Sequence, residues 1–109
     1  MALVKLENVK IISEVEEHTF DNGNKIAKVR TVEEEIYFDR DAQDNRVRSV
    51  YYTLQADDAK GIERLKSLGK HEVLSVTGKL LVRPFTSKEG DARAEVVVKP
   101  VAIKTAVTV

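Results

Sequence analysis

The 109-residue sequence contains no cysteine and no tryptophan, and its basic and acidic residues cancel to a net charge of zero. Without cysteine the chain cannot form a disulfide framework or a thiolate metal site, and it fits a reducing intracellular compartment. No apolar run reaches the length of a signal peptide or a membrane span, because Glu7 and Lys10 interrupt the one near the N-terminus. We therefore expect a cytoplasmic protein, or one in the host-cell cytoplasm if it is viral, that does not contact a membrane.

The length of the chain and its charge distribution indicate the number of domains and a candidate binding surface. A chain of this size with 42% hydrophobic residues is expected to form one domain, residues 1–109, around one core. Residues 1–46 carry seven basic and eleven acidic side chains, and residues 47–109 carry eleven basic and seven acidic ones. A net charge of zero weakens a nucleic-acid interpretation, but the basic second half is able to form a phosphate-binding surface while the acidic half faces elsewhere.

Most of the sequence has the pattern of β-strands separated by turns. Asn22 and Gly23 indicate a tight hairpin turn, and the polar residues 39–46 and 87–91 indicate two further connections. Valine, isoleucine and threonine are frequent between these turns, which favours strands. The predicted strands cover residues 4–15, 25–38, 47–55, 72–85 and 93–107.

One segment has a helical pattern instead. Asp57 is expected to cap it or to lie in its first turn, and Gly69 closes it. The apolar residues between them recur at three-residue spacing, which predicts a short amphipathic helix. These residues are Ala59, Ile62, Leu65 and Leu68.

The fourth strand alternates clearly enough to assign its two faces. Leu74, Val76 and Leu80 lie on one face, and Lys79, Arg83 and Phe85 lie on the other. In the last strand, Pro100 is expected to mark a bulge, an edge or the effective end.

The order of three strands, one helix and two strands predicts an all-β protein. It is the arrangement of the OB-fold, a five-stranded Greek-key barrel with one short helix between strands three and four. A mixed α+β sandwich is the alternative architecture.

Residues 68–85, LGKHEVLSVTGKLLVRPF, carry a motif of the form apolar-x-Gly-x-Leu-x-x-Arg-x-aromatic. This motif, the turn and strand that follow it, and the Asn-Gly turn upstream resemble the bacterial and phage single-stranded DNA-binding protein family. The resemblance runs from about residue 8 to residue 103 and implies an OB-fold that binds single-stranded DNA without sequence preference. It also implies a dimer or tetramer that acts in DNA replication, recombination or repair.

The resemblance also implies which side chains contact DNA. It places Tyr37, Tyr51 and Phe85 where the family stacks bases, and a flat ring offers every base a π-face. Cations beside these rings are expected to follow the phosphates. The candidate nucleic-acid-binding residues are Tyr37, Tyr51, Phe85, Lys79, Arg83, Arg48, Lys28 and Arg30.

Other interpretations of these side chains stay open at this stage. The aromatics can instead pack in the core or in hairpins, and the cations can lie on an ordinary solvated face. Tyr51 and Tyr52 are adjacent and must point to opposite faces of a strand, so whichever faces outward is the better candidate for a ligand contact.

The sequence also departs from the family. It lacks the tryptophans on which members commonly stack bases, and Asp57 stands near a position that is often aromatic. Residues 105–109 are not the acidic, hydrophobic-tipped tail of cellular members, so we expect a phage, plasmid or otherwise specialised relative, or a truncated chain.

No catalytic, metal or cofactor signature emerges from the sequence. His18 and His71 have no partners at ligand spacing and are expected in loops. Phosphate-cradling glycine loops and nucleophile motifs are missing, so we expect neither an enzyme nor a small-molecule substrate. The second functional hypothesis is an OB-type protein-interaction or replication-restart accessory module with little affinity for DNA.

Overall fold

A computed structural model describes residues 2–105, which form a closed five-stranded barrel with one additional edge strand. Along the barrel the order is β1, β5, β6, β4 and β3, and β3 pairs back with β1 to close it. The β4–β6 pair is parallel and the other pairs are antiparallel. The elements are β1 (Leu3–Ile11), β2 (Glu16–Thr19), β3 (Lys25–Asp39), β4 (Asp44–Ala56), α1 (Ala59–Lys66), β5 (Val73–Thr86) and β6 (Ala92–Thr105). This confirms the predicted OB-fold.

The edge strand β2 was not predicted. The expected first strand ends at Ile11, and the chain then forms β2, which pairs with the start of β3 through Glu16↔Lys28 and His18↔Ile26. All four β2 residues are exposed, so no apolar alternation marks the strand. The expectation that His18 lies in a loop is therefore wrong, whereas His71 lies in the turn before β5 as expected.

The connection between β3 and β4 is shorter than predicted. The expected loop over residues 39–46 is a turn of four residues, 40–43, because the two strands stay paired as far as Asp39↔Asp44. The paired residues 33–39 and 44–50 project beyond the core as a hairpin, which we call the hairpin arm. Most of its side chains are exposed on both faces, and this explains why the loop prediction extended too far.

The core fills the barrel interior, and α1 closes one end of it. Leu65 of α1 and Leu68 just after it are buried in this core, and Ile62 packs against it, as the apolar spacing predicted. Ala59, the first residue of the predicted apolar series, is exposed, and the helix ends at Lys66 rather than at Gly69. The N-cap is Asp58 rather than Asp57, because the Asp58 carboxylate accepts a hydrogen bond of 2.7 Å from the Gly61 amide. The buried strand residues around the helix are Leu6, Val9, Ile11, Ala27, Val29, Leu54, Ala56, Leu74, Val76 and Val98.

The β5–β6 pair contains the irregularity expected at Pro100. The register shifts from Thr77↔Ala102 to Gly78↔Pro100, so Val101 is an extra residue in β6. A side chain at Gly78 would overlap the Lys99 carbonyl oxygen, so only glycine fits this close approach of the two backbones. Strand β6 continues to Thr105, and the predicted strand residues 106–107 and the tail residues 106–109 lie outside the described part of the chain.

Candidate nucleic-acid interface

Alternation along β3 defines the two faces of the barrel wall. Ala27 and Val29 are buried in the core, so Lys28 and Arg30 point to the outside of the same strand. We call this outside surface of β3, β4, β5 and β6 the outer face. It carries the side chains of the candidate site.

Strand β4 places one tyrosine on each face. Tyr51 is 53% exposed on the outer face, whereas Tyr52 is partly buried and packs against the core. Burial raises the pKa of the Tyr52 phenol above its ordinary value of 10.0, and the nearby Glu33 carboxylate raises it further. Of the adjacent pair, Tyr51 is therefore the more exposed ring, and the partly buried Tyr52 also lines the depression between β4 and β6.

Strand β5 contributes the three residues that were predicted to share a face. Leu80 packs against the core, and Lys79, Arg83 and Phe85 alternate with it onto the outer face. The Phe85 ring is 47% exposed. Four residues of extended strand separate Lys79 from Arg83, about 13 Å, so Lys79 lies toward the far end of this face.

Arg30, Tyr51 and Phe85 meet at one depression, which we call the open groove. Its volume is about 360 Å³, and residues 94–96 of β6 complete the wall between β4 and β5. The Arg30 guanidinium carbon lies 5.9 Å from the centroid of the Tyr51 ring, a cation–π distance. The groove thus brings together two exposed rings and a cation from three different strands.

A hydrogen-bonded network borders the open groove. Thr53 donates to the Glu95 carboxylate at 3.0 Å, and the same carboxylate lies 3.7 Å from the Arg83 guanidinium. Arg83 also donates to the Gln55 side-chain oxygen at 3.2 Å. These contacts fix the Arg83 side chain, and they place one negative charge, on Glu95, within the groove.

Tyr37 and Arg48 lie on the opposite face from the open groove. Both belong to the hairpin arm, and pairing of β3 with β4 puts them on the same side as the core residues rather than with Arg30 and Tyr51. The Arg48 guanidinium lies 5.0 Å from the Tyr37 ring centroid and pairs with Glu35 at 3.1 Å. The eight candidates therefore do not share one surface, and six of them lie on the outer face.

The sequence analysis missed a second depression on the outer face, which we call the hairpin cleft. It has a volume of about 620 Å³ and lies between the β2–β3 hairpin and the β4–β5 side of the barrel. Phe20 and His18 line it together with Lys28 and Arg83. The sequence places Phe20 directly before the turn over residues 21–24, and so at a hairpin end, but it does not show that a cleft forms beside it.

The charge distribution on the outer face also differs from expectation. The acidic first half does not face elsewhere, since β3 supplies Lys28 and Arg30 to this face and β2 supplies Glu16 to the hairpin cleft. Contributions from both halves of the chain therefore build the site. The separation of charge along the sequence does not translate into separate surfaces.

The fold agrees with solved structures of single-stranded DNA-binding proteins. A small single-stranded DNA-binding protein from Streptomyces coelicolor superposes with a TM-score of 0.71 and 21% identity, over 97% of this chain and 96% of that one. The chain has the same fold as this protein. A Plasmodium falciparum SSB in complex with ssDNA gives a TM-score of 0.72 at 15% identity, over 96% of this chain and 92% of that chain. A deletion mutant of the Thermus aquaticus single-stranded DNA-binding protein gives 0.64 at 19% identity, over 94% of this chain and 51% of the other.

Comparison of the sequence with known families and curated proteins identifies no relative, because the chain matches no family model and no curated protein sequence. Across residues 2–105, no helix is long and apolar enough to cross a membrane. The same residues contain no cluster of three histidine or acidic side chains suited to hold a metal ion.

Proposed function

We propose that the chain binds single-stranded DNA without sequence preference and catalyses no reaction. The observation that carries this proposal is the open groove, where the exposed rings of Tyr51 and Phe85 lie beside the Arg30 guanidinium. Stacking on such rings tolerates every base, and each stacked base contributes about 1–3 kcal/mol. A groove of this composition therefore suits an unpaired strand of any sequence.

Phosphate neutralisation complements stacking in the proposal. Lys28, Arg30, Lys79 and Arg83 lie on the outer face, so a strand crossing it meets cations on β3 and on β5. Each phosphate neutralised releases condensed counterions, which makes the affinity fall as salt rises. The hydrogen bond from Arg83 to the Gln55 side-chain oxygen restricts the guanidinium before any ligand binds, which reduces the entropy lost on binding.

The structural neighbours support this assignment, since they are described as single-stranded DNA-binding proteins and one of them is in complex with ssDNA. The biological part of the proposal is that the chain sequesters single strands during DNA replication, recombination or repair. Self-association into a dimer or tetramer and a cytoplasmic location belong to the same proposal. The biological role and the self-association rest on the resemblance noted in the sequence, and the proposed location rests on its lack of cysteine and of a long apolar run.

A protein-interaction module is the second candidate, and one observation favours it. Ile36, Phe38 and Val47 lie on one side of the hairpin arm, and each is more than half exposed, at 73%, 57% and 60%. Exposed apolar side chains grouped in this way are typical of protein-binding surfaces. Under this hypothesis the open groove has little affinity for DNA.

A titration with oligo-dT separates the two candidates. At low salt, binding is expected to quench the fluorescence of the tyrosines, and added sodium chloride is expected to reverse the quench. Absence of binding at micromolar protein would contradict DNA binding and favour the interaction module. A homopolymer without secondary structure keeps the readout free of duplex melting.

A further inference from the structure

Phe20 is an exposed aromatic residue at the end of the β2–β3 hairpin, separate from the open groove. Its ring is 45% exposed. Its amide donates to the Asn24 carbonyl at 2.8 Å, and its carbonyl accepts from the Gly23 amide at 2.9 Å. Gly23 has a φ of +86°, which glycine adopts without strain, so the turn holds the Phe20 backbone in one place.

His18 further restricts the Phe20 side chain. The two ring centroids lie 4.6 Å apart with an interplanar angle of 81°, which is an edge-to-face contact. His18 stands opposite Ile26 on β3, so this contact ties the hairpin end to the barrel wall. A ring that is exposed yet held by its neighbour and its backbone suits stacking, because little rotamer freedom remains to be lost.

The surroundings of Phe20 contain the cations that a nucleotide needs. Lys28 and Arg83 line the hairpin cleft with it, and the cleft volume of about 620 Å³ exceeds that of the open groove. Two carboxylates also border the cleft. Glu17 is paired with Lys66 at 3.3 Å, whereas Glu16 stands opposite Lys28 in the β2–β3 register.

The hairpin cleft and the open groove are neighbours on the outer face. Gln55 and Arg83 line the cleft and are hydrogen-bonded to each other. Arg83 also forms an ion pair with Glu95, which lines the groove and accepts a hydrogen bond from Thr53. Arg83 therefore lies between the two depressions. A strand stacked on Tyr51 and Phe85 reaches the cleft by passing this guanidinium.

We propose that Phe20, held by His18, is an additional base-stacking position, and that single-stranded DNA continues from the open groove past Arg83 into the hairpin cleft. This inference rests on the proposed function and extends it by naming a second subsite. The phosphate between the two subsites lies beside Arg83, and the next one beside Lys28. A ligand too short to leave the open groove does not contact Phe20.

The chain contains no tryptophan, so a tryptophan introduced by mutation is the only one that contributes fluorescence. Phe20→Trp introduces a single tryptophan whose fluorescence reports on the cleft alone. A length series of oligo-dT is expected to quench it only above a threshold length, while short oligomers still quench the tyrosines. Tyr37→Trp, at an exposed aromatic position on the face opposite the open groove, is the matched control and should not be quenched by oligo-dT of any length.

Affinity measurements complete the test. Phe20→Ala is expected to weaken binding of long oligo-dT about tenfold, the loss typical of one stacked base, and to leave short oligomers unaffected. Phe20→Leu keeps the apolar volume without the π-face and is expected to show the same loss, even if the alanine variant is unstable. Unquenched Phe20→Trp in a protein that binds long oligo-dT would overturn this inference and leave the proposed function intact. Failure of the unmodified chain to bind would overturn the proposed function itself.

Discussion

Arg30 and Tyr51 lie on neighbouring strands of the outer face, with the guanidinium carbon 5.9 Å from the ring centroid. The Arg30 side chain thus stands beside a ring that is exposed to solvent on the wall of the open groove. A base stacked on that ring would lie next to a fixed positive charge. This pairing makes the contributions of stacking and charge separable by mutation.

Removing both rings of the open groove is expected to abolish most of the binding. The double change Tyr51→Ala and Phe85→Ala should weaken oligo-dT binding at least tenfold, because each stacked base contributes about 1–3 kcal/mol. Both side chains are about half exposed, so the variant should remain folded by circular dichroism. Tyr37→Ala is the matched control on the opposite face, and its affinity should stay close to that of the unmodified chain. Unchanged affinity in the folded double variant would contradict the site.

Arg30→Gln tests the charge without removing a ring. We expect weaker binding and a shallower dependence of log affinity on log salt, by about 0.7 for one lost phosphate contact to a single strand. Lys70→Gln removes the same charge from the loop before β5, away from the outer face, and should leave the slope unchanged. Equal slopes in all three proteins would show that Arg30 does not contact phosphate.

Glu95→Gln is expected to strengthen DNA binding. The amide keeps a hydrogen-bonding group beside Thr53 while removing the carboxylate from the groove and releasing Arg83 from its ion pair. The gain should be about 1.4- to fivefold at low salt, the size of a charge interaction of about 0.2–1 kcal/mol. Glu63→Gln on α1 gives the same change in net charge and serves as the control. Weaker binding by Glu95→Gln would mean that Glu95 positions Arg83 rather than repelling phosphate.

Alkaline unfolding should report on Tyr52. Its pKa is raised in the folded state by burial and by Glu33, so its contribution to stability is complete below pH 10. That contribution is lost as the pH rises through the raised pKa, because the unfolded chain releases the proton more readily. Urea unfolding at pH 9 and pH 11 should therefore show a smaller loss of stability in Tyr52→Phe than in the unmodified chain or in Tyr51→Phe. Equal losses in all three would contradict the shift.

Gly78→Ala should destabilise the barrel. The added methyl group would overlap the Lys99 carbonyl oxygen at the β6 bulge, and the strain should reduce the free energy of unfolding by about 1–3 kcal/mol. In Gly69→Ala the nearest atoms lie at 3.8 Å, so the same substitution should change stability by less than about 0.5 kcal/mol. Chemical denaturation of the two variants provides the comparison. Similar stabilities would show that the strands separate at Gly78 without cost.

The sequence predicted the elements that face the core and missed those that do not. The apolar spacing of Ile62, Leu65 and Leu68 was sufficient to identify α1, and alternation in β5 was sufficient to place Arg83 and Phe85 on one face. Strand β2 was not predicted because its residues are all exposed and therefore show no alternation of apolar and polar side chains.

The candidate site was predicted in part for a similar reason. Tyr37 and Arg30 are seven residues apart, and an uninterrupted strand puts such residues on opposite faces, so their separation was readable from the sequence once β3 was known to lack a bulge. The hairpin cleft was not readable, because it depends on how β2 pairs with β3 and on where Arg83 lies across the barrel. Those relationships depend on how distant parts of the chain come together in the tertiary structure.

The parallel join between β4 and β6 is short, with the register Thr53↔Val97 and Leu54↔Val98. The two strands separate at the end of this join, and the open groove occupies the gap between them. A bound oligonucleotide would contact both sides of the gap and hold together one of the two shortest strand pairings of the barrel. Occupancy of the groove and resistance of the whole barrel to heat would then rise together.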